Sequence, residues 1–256
     1  MNDAAGKKVF FLYPPSVLRD ELIIQLVEQE FEVYMLGDHV LATRILHLFP
    51  DSILYVNLDA NLEESEWETW IRATMADPVT ASVGIGIVSY NADENLQRKY
   101  LMDIGIQCGF IKLKLGLEES THILLATLNA NEAKGRRKYV RATCTSDKMS
   151  SVNIIFGNQR ITGNILDISV VGFSCTFNQD TPFIKNMLLK NVQLKLRGSL
   201  MQVDVIVFGM RNDENPVFVM LFAQGMEPAN RKKIRAYLQI ALQSELDLHI
   251  KNAEAV

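Results

Sequence analysis

The sequence contains few of the residues that mark disulfide-stabilised, fibrous or membrane-spanning proteins. Only 3 of its 256 residues are cysteine, none in a CxxC pair, which argues against a disulfide framework and a structural zinc site. With 7 prolines and 14 glycines, the chain has no long disordered or fibrous segment. Apolar runs are shorter than the roughly 20 residues of a membrane helix and than a signal-peptide core. We therefore expect a cytoplasmic protein without membrane insertion.

Catalytic and metal-binding patterns are also missing. The 4 histidines are scattered and have no cysteine or histidine partner at metal-ligand spacing. No nucleophilic side chain has a recognisable base partner. We expect no enzymatic activity, no metal and no cofactor.

Charge is distributed unevenly along the chain. Residues 1–133 carry 9 basic and 20 acidic side chains, a net charge of −11, whereas residues 134–256 carry 17 basic and 10 acidic side chains, a net charge of +7. An acidic domain joined to an anion-binding domain gives this pattern, and so does mutual attraction between two halves. The change of sign predicts a domain at 1–130, a linker at 131–136 and a second domain at 137–256.

The first half alternates short apolar runs with longer amphipathic ones. Strands are predicted near 9–12, 32–36, 52–58, 83–88 and 109–113, and helices near 16–29, 39–49, 62–75, 92–102 and 118–128. Five strands alternating with five helices predict a doubly wound, five-stranded parallel sheet of the flavodoxin-like type, covered by helices on both faces.

This order of elements resembles the receiver domain of bacterial response regulators over residues 7–130. The family requires two adjacent acidic residues after its first strand to hold magnesium. Here the first strand is followed by Tyr13, Pro14 and Pro15. Without that acidic pair the site has no oxygen cage for a divalent cation, and phosphoryl transfer has little to neutralise its charge.

The other receiver positions are only partly filled. Asn57 occupies the position of the phosphoacceptor aspartate, and Asp59, two residues later, is the alternative phosphoacceptor. Ser89 and either Lys112 or Lys114 match the remaining positions. We interpret the domain as a degenerate receiver that is not phosphorylated and serves as a scaffold or interaction surface.

The second half has a different pattern. Short β-branched and aromatic runs separated by turn residues predict a small antiparallel barrel, with a short helical insert at Thr181–Leu189. A final helix is predicted from about Glu227 to His249. This helix lies against the barrel or pairs with another chain, which would make a homodimer.

Two clusters in this half point to an anionic ligand. The first consists of Arg136, Arg137 and Arg141, whose guanidinium groups match both phosphate oxygens and the O6/N7 edge of guanine. The second follows about thirty residues later and reads DISVVG, with an acid, a hydroxyl and a glycine at Asp167, Ser169 and Gly172. Asp accepts from guanine N–H groups, Ser donates to phosphate or base, and Gly permits a close backbone approach. Alone, the first cluster also fits a solvated linker and the second a plain β-turn.

Together the clusters resemble the PilZ domain, the bacterial receptor module for cyclic di-GMP, over residues 134–245. Its signature is RxxxR followed by D/NxSxxG, and this chain has Arg137 and Arg141 in the first motif with Arg136 before it. One departure is Val171, where family members often have a second glycine. The resemblance implies a six-stranded barrel with a terminal helix.

The resemblance also implies a mechanism. The three arginines are expected to contact phosphates and guanine edges, Asp167 and Ser169 to bond base or backbone, and Gly172 to allow close approach. Ordering the arginine segment then changes the interdomain arrangement, and the receiver-like domain signals to a protein partner that the sequence does not identify. The alternatives are a nucleic-acid-binding response regulator, disfavoured because the second half has no recognition-helix pattern, and an adaptor that binds no cyclic di-GMP.

Overall fold

The structure, a computed structural model, describes residues 6–16, 18–211 and 215–254 of the chain. The chain divides into two compact units, Met1–Lys138 and Tyr139–Val256. The first is called the sheet unit and the second the barrel unit. Among the described residues, no helix combines the length and the apolar character needed to cross a bilayer.

Five parallel strands form the sheet unit, as the sequence predicts. They are β1 (Lys8–Leu12), β2 (Val33–Leu36), β3 (Ser52–Asn57), β4 (Gly84–Ser89) and β5 (Phe110–Lys112), in the order β2-β1-β3-β4-β5. All six residues of β3 are buried, because a central parallel strand is covered on both faces. This order is that of a doubly wound fold, in which ligands bind at the carboxyl edge of the sheet. The predicted fold class of the first half is confirmed.

Helical segments connect these strands. They are α1 (Ile23–Glu28), α2 (His39–Leu48), α3 (Glu64–Ala76), α4 (Glu94–Arg98) and α5 (Leu117–Ala130), with π-helical turns at Leu18–Leu22 and Lys99–Ile104 and a 3₁₀ turn at Leu113–Leu115. Helix α3 packs Trp67 and Ile71 into the core, since residues four apart lie on the same helix face. Its glutamate-rich start is favourable beside the positive end of the helix dipole.

Antiparallel strands form the barrel unit. They are β6 (Ala142–Thr143), β7 (Ser151–Phe156), β8 (Gln159–Ser169), β9 (Gly172–Phe177), β10 (Leu188–Leu196), β11 (Ser199–Arg211) and β12 (Val217–Phe222). Strands β7 to β12 close into a six-stranded ring in the order β8-β7-β10-β11-β12-β9, because β9 also pairs with β8. The two-residue strand β6 adds to β8. The predicted six-stranded barrel is confirmed.

The short helix predicted over Thr181–Leu189 is wrong. All of these residues are described, none is helical, and β10 begins at Leu188. The cause is Phe183, which is buried and anchors this segment in an aromatic cluster. Its ring centroid lies 5.3–6.2 Å from those of Phe156, Phe177 and Phe218. Tertiary packing therefore overrides the local apolar pattern.

The terminal helix α6 (Pro228–Glu254) begins and ends within a few residues of its predicted bounds. It buries Ile234, Tyr237, Leu238 and Leu246. Of the two arrangements that the sequence leaves open, the structure shows α6 packed on strands β6, β8 and β11 of its own barrel. Homodimerisation stays a prediction.

A polar network joins α6 to the barrel at Asp147. Its carboxylate accepts hydrogen bonds from the Ser150 hydroxyl at 2.7 Å, the Met149 amide at 2.9 Å and the Tyr237 hydroxyl at 3.0 Å. Burial raises the pKa of Tyr237 above its ordinary value, so its hydroxyl keeps the proton that it donates. Arg197 lies 3.8 Å from the same carboxylate. Met149 and Ser150 belong to the loop before β7, Arg197 to the turn between β10 and β11, and Tyr237 to α6. Asp147 therefore holds the helix in place on the barrel.

The network makes the docking of α6 dependent on pH. Burial acts to raise the pKa of Asp147, but the hydrogen bonds and the charge of Arg197 outweigh burial and hold that pKa below its ordinary value of 3.8. A lowered pKa in the folded state adds stability that is complete above the ordinary pKa and is lost as the pH falls through the folded pKa.

We expect Asp147→Asn to loosen α6 at neutral pH. Charge-assisted hydrogen bonds contribute more than neutral ones, so amide exchange across Ile234–Leu246 should become about tenfold faster at pH 7. At a pH below the folded pKa of Asp147 the variant and the wild type should exchange alike, because the wild-type carboxyl is then protonated. Hydrogen–deuterium exchange by mass spectrometry checks this. Asp180→Asn, at an exposed acid of the same unit, should match the wild type at both pH values.

Candidate ligand site

The DxSxxG motif is a hairpin between β8 and β9. Ser169 is the last residue of β8 and Gly172 the first of β9, and the two are paired across a two-residue turn. The Ser169 hydroxyl donates to the Gly172 carbonyl at 3.2 Å and accepts from the Val171 amide at 3.4 Å. Val171, the departure from the family pattern, has no left-handed φ, so a β-branched side chain fits this turn. The hairpin thus places the acid, the hydroxyl and the glycine side by side.

Strand register extends the motif across three strands. Ser169 pairs with Gly172, which pairs with Leu221 on β12. Two residues away, Asp167 pairs with Ser174, which pairs with Val219. Since side chains alternate along a strand, these two rows lie on one face of the sheet. The Ser174 hydroxyl donates a hydrogen bond to the Asp167 carboxylate, which orients that carboxylate.

Gly172 is needed by the barrel itself. A Cβ atom at this position would lie 2.2 Å from the Met220 carbonyl oxygen and 3.1 Å from the Leu221 Cα. Its φ lies outside the left-handed region, so the close approach of β12 is what requires glycine here. Sequence reasoning assigned this glycine to the approach of a ligand, whereas the structure shows backbone of the same chain against it.

Arg141 reaches the same place from β6. The next two residues pair with β8, as Ala142 with Ile168 and Thr143 with Asp167, and continuing this register puts Arg141 opposite Ser169. The side chain is exposed. Among the described residues nothing donates to it, accepts from it or forms an ion pair with it. Arg136 and Arg137 are exposed as well and belong to the sheet unit, which ends at Lys138.

Arg141 and the DxSxxG hairpin line one cavity, called the motif cavity. Its volume is 230 Å³. Its polar lining comes from Arg141, Asp167, Ser169, Ser174 and Arg211, and its apolar lining includes Val219 and Leu221. Two guanidinium groups against one carboxylate favour an anion, and the apolar strip offers a flat surface to a base. Residues of both motif segments, 26 positions apart at Arg141 and Asp167, therefore meet at one site.

Sequence reasoning missed two lining residues, Ser174 and Arg211. Ser174 lies two residues after Gly172, and strand alternation alone would have placed it beside the motif. Arg211 comes 39 positions after Gly172, and only the pairing of β12 with both β9 and β11 brings it there. No local pattern signals that arrangement.

A larger cavity of 510 Å³ lies between β11 and the start of α6. Three of its polar side chains already form hydrogen bonds within the barrel unit. Asp204 accepts from the Asn191 amide at 2.8 Å, Asn230 donates to the Gln202 carbonyl at 2.8 Å, and Lys233 donates to the Leu200 carbonyl at 3.2 Å. Volume alone therefore does not identify the site. Residues of the two motifs line the motif cavity and not the larger one.

The carboxyl edge of the parallel sheet carries the residues predicted from the receiver pattern. Asn57 ends β3 and donates to the Tyr13 carbonyl at 2.8 Å. Asp59 accepts from the Ser89 hydroxyl at 2.7 Å and from the Tyr90 amide at 2.6 Å. Lys112 ends β5 and pairs with Ser89. Both oxygens of the Asp59 carboxylate thus have protein donors, and within the described parts of the chain no group of three or more His, Cys, Asp or Glu is arranged for a metal ion.

A family model described as the PilZ domain matches residues 135–239. These residues contain both motifs and the closed barrel. No curated relative matches the chain significantly.

Solved structures that are similar to part of this chain have low sequence identity. The PilZ domain of YcgR from Escherichia coli with c-di-GMP is 14% identical with a TM-score of 0.39, over 47% of this chain and 99% of that one. The K. pneumonia MrkH–c-di-GMP complex is 19% identical with a TM-score of 0.37, over 48% of this chain and 57% of that one. The Bacillus subtilis inhibitor of motility MotI/DgrA is 21% identical with a TM-score of 0.34, over 44% and 52%. The matches span about half the length of MrkH and MotI.

Proposed function

We propose that the PilZ domain of this chain, residues 135–239, is a receptor for cyclic di-GMP. The observation that carries the proposal is the motif cavity, in which Arg141 from the first motif faces Asp167 and Ser169 from the second. Forked guanidinium donors suit phosphates and the guanine edge, and a carboxylate accepts from guanine N–H groups. We propose that the site binds this ligand and does not transform it.

Arg136 and Arg137 are proposed to contact the same ligand as Arg141. The RxxxR motif begins in the sheet unit at Arg137 and ends in the barrel unit at Arg141. A ligand that engages both ends of the motif restricts the segment between them, and we propose that this changes the interdomain arrangement. Small-angle scattering should then differ with and without cyclic di-GMP, and identical curves under saturating ligand would contradict the rearrangement.

The sheet unit is the proposed output surface toward a protein partner. Its carboxyl edge has Tyr13, Pro14 and Pro15 where a receiver has its acidic pair, and the Asp59 carboxylate is held by Ser89 and the Tyr90 amide. We therefore propose that this unit is not phosphorylated and acts through contacts alone.

Calorimetric titration of the full chain tests the proposed function. Cyclic di-GMP should bind with a measurable heat and a defined stoichiometry, whereas cyclic di-AMP should bind at least tenfold more weakly because adenine lacks the O6 acceptor. A duplex oligonucleotide titrated at several salt concentrations represents the alternative. Salt-dependent duplex binding without cyclic di-GMP binding would favour the nucleic-acid-binding regulator.

A further inference from the structure

Arg211 stands at the far side of the motif cavity and belongs to neither sequence motif. It is the last residue of β11, where it pairs with Val217. Gly209, two residues earlier, pairs with Val219, so alternation puts Arg211 on the same face of the sheet as the Val219 side chain. It is one of the residues that line the cavity.

The two arginines of the cavity approach it from opposite sides. Arg141 precedes β6 and Arg211 ends β11, and the strand order between them is β6-β8-β9-β12-β11 through the closing pair. At about 4.8 Å per strand, four steps separate their backbones by roughly 19 Å along the sheet. Asp167 and Ser169 lie at the Arg141 end, whereas the apolar side chains of Val219 and Leu221 lie toward the Arg211 end.

Arg211 has the properties of a ligand contact. It is exposed, and within the described residues its guanidinium has no hydrogen bond or ion pair. Apart from Gly209 and its chain neighbours, no described residue has an atom within 4 Å of where a Cβ of Gly209 would stand, so the space beside Gly209 is open within the described part of the barrel. Among the described residues that line the cavity, Asp167 is the one with a carboxylate, and that carboxylate is engaged with Ser174 at the other end. An exposed, forked donor above an apolar strip suits the edge of a base.

We propose that Arg211 reads the second guanine of the ligand, while the hairpin and Arg141 hold the first. This inference rests on the proposed function and extends it to the specificity of the site. A cyclic dinucleotide presents two bases, and the residues of the two motifs within the barrel unit lie at only one end of the cavity. Arg211 supplies at the other end the bidentate donor that distinguishes guanine from adenine.

A hybrid ligand isolates this contact. Cyclic GMP–AMP has one guanine and one adenine, so it can satisfy the hairpin end with its guanine and must leave adenine for Arg211. We expect the wild type to bind cyclic di-GMP about tenfold more tightly than the hybrid. Arg211→Ala should bind cyclic di-GMP about tenfold more weakly than the wild type, and it should bind the two ligands equally. Arg211→Lys keeps the charge without the fork and should recover only part of the lost affinity.

The outcomes separate the two levels of the proposal. Calorimetry on the full chain is run with the wild type, both Arg211 variants and Arg160→Ala, an exposed arginine at the opposite end of β8. If the wild type binds cyclic di-GMP and Arg211→Ala keeps the wild-type preference over the hybrid, the role of Arg211 is wrong while the receptor function stands. Full recovery by Arg211→Lys would also contradict base reading. If the wild type binds no cyclic di-GMP, both proposals fail. Equal unfolding midpoints of all variants exclude an effect through folding.

Discussion

Replacing Gly172 with alanine is expected to lower the free energy of unfolding of the barrel by about 3 kcal/mol, the upper end of overpacking effects. The added methyl group would stand 2.2 Å from the Met220 carbonyl oxygen, and backbone atoms of a paired strand cannot move aside as a flexible side chain can. Strand β12 must therefore shift away from β9, which opens the ring where it carries the motif cavity. Thermal unfolding followed by far-ultraviolet circular dichroism should show a midpoint lower by roughly 10 °C or more.

Gly209→Ala is the matched control for this change. Gly209 lies in the same barrel, has no left-handed φ, and a Cβ there would meet no atom of the described residues within 4 Å apart from its chain neighbours. Its unfolding midpoint should stay within about 2 °C of the wild type. An unchanged midpoint in Gly172→Ala would contradict the structural role assigned to this glycine and would leave the approach of a ligand as the reason for it.

The architecture of the sheet unit could be predicted from sequence because each element carries its own signal. The apolar run of β3 is buried on both faces, and the pattern of α3 repeats with the helical period at Trp67 and Ile71. Alternation of such elements leaves few topologies. Segment bounds shifted by one to three residues, as at β5, which is the three residues Phe110–Lys112 where five were predicted.

The barrel could be predicted as a class, whereas its details depend on contacts between distant segments. Phe183 reads locally as part of an apolar helical stretch, yet it is fixed by rings from the three strands β7, β9 and β12. Gly172 reads as a turn glycine, yet its constraint comes from β12, nearly fifty residues later. Local patterns do not contain such pairings.

The same distinction applies to the candidate site. The residues found from sequence, Arg141, Asp167 and Ser169, form two compact motifs that chemistry alone makes recognisable. Arg211 has no motif, and its place depends on the register between β11 and β12. A site assembled from several strands is therefore read from sequence only where its residues are close together along the chain.

Arg141→Ala is expected to weaken cyclic di-GMP binding by tenfold or more. The Arg141 guanidinium lies at the hairpin end of the motif cavity, and each charge-assisted hydrogen bond to a phosphate or base is worth about 1.5–3 kcal/mol. Because Arg141 is exposed, its removal should leave the unfolding midpoint unchanged. Calorimetric titration of the full-length variant beside the wild type measures the change.

Arg160→Ala shows whether the loss is specific to the site. It removes the same charge from the same unit at the other end of β8, about 30 Å along the strand from Ser169, so a general electrostatic effect would weaken both variants alike. Binding in Arg160→Ala should stay within about twofold of the wild type, because exposed charges that far apart are screened at physiological ionic strength. Equal losses in the two variants, or wild-type binding by Arg141→Ala, would contradict the placement of the ligand in the motif cavity. A loss confined to Arg141→Ala ties the ligand to the face where β6 meets the β8–β9 hairpin.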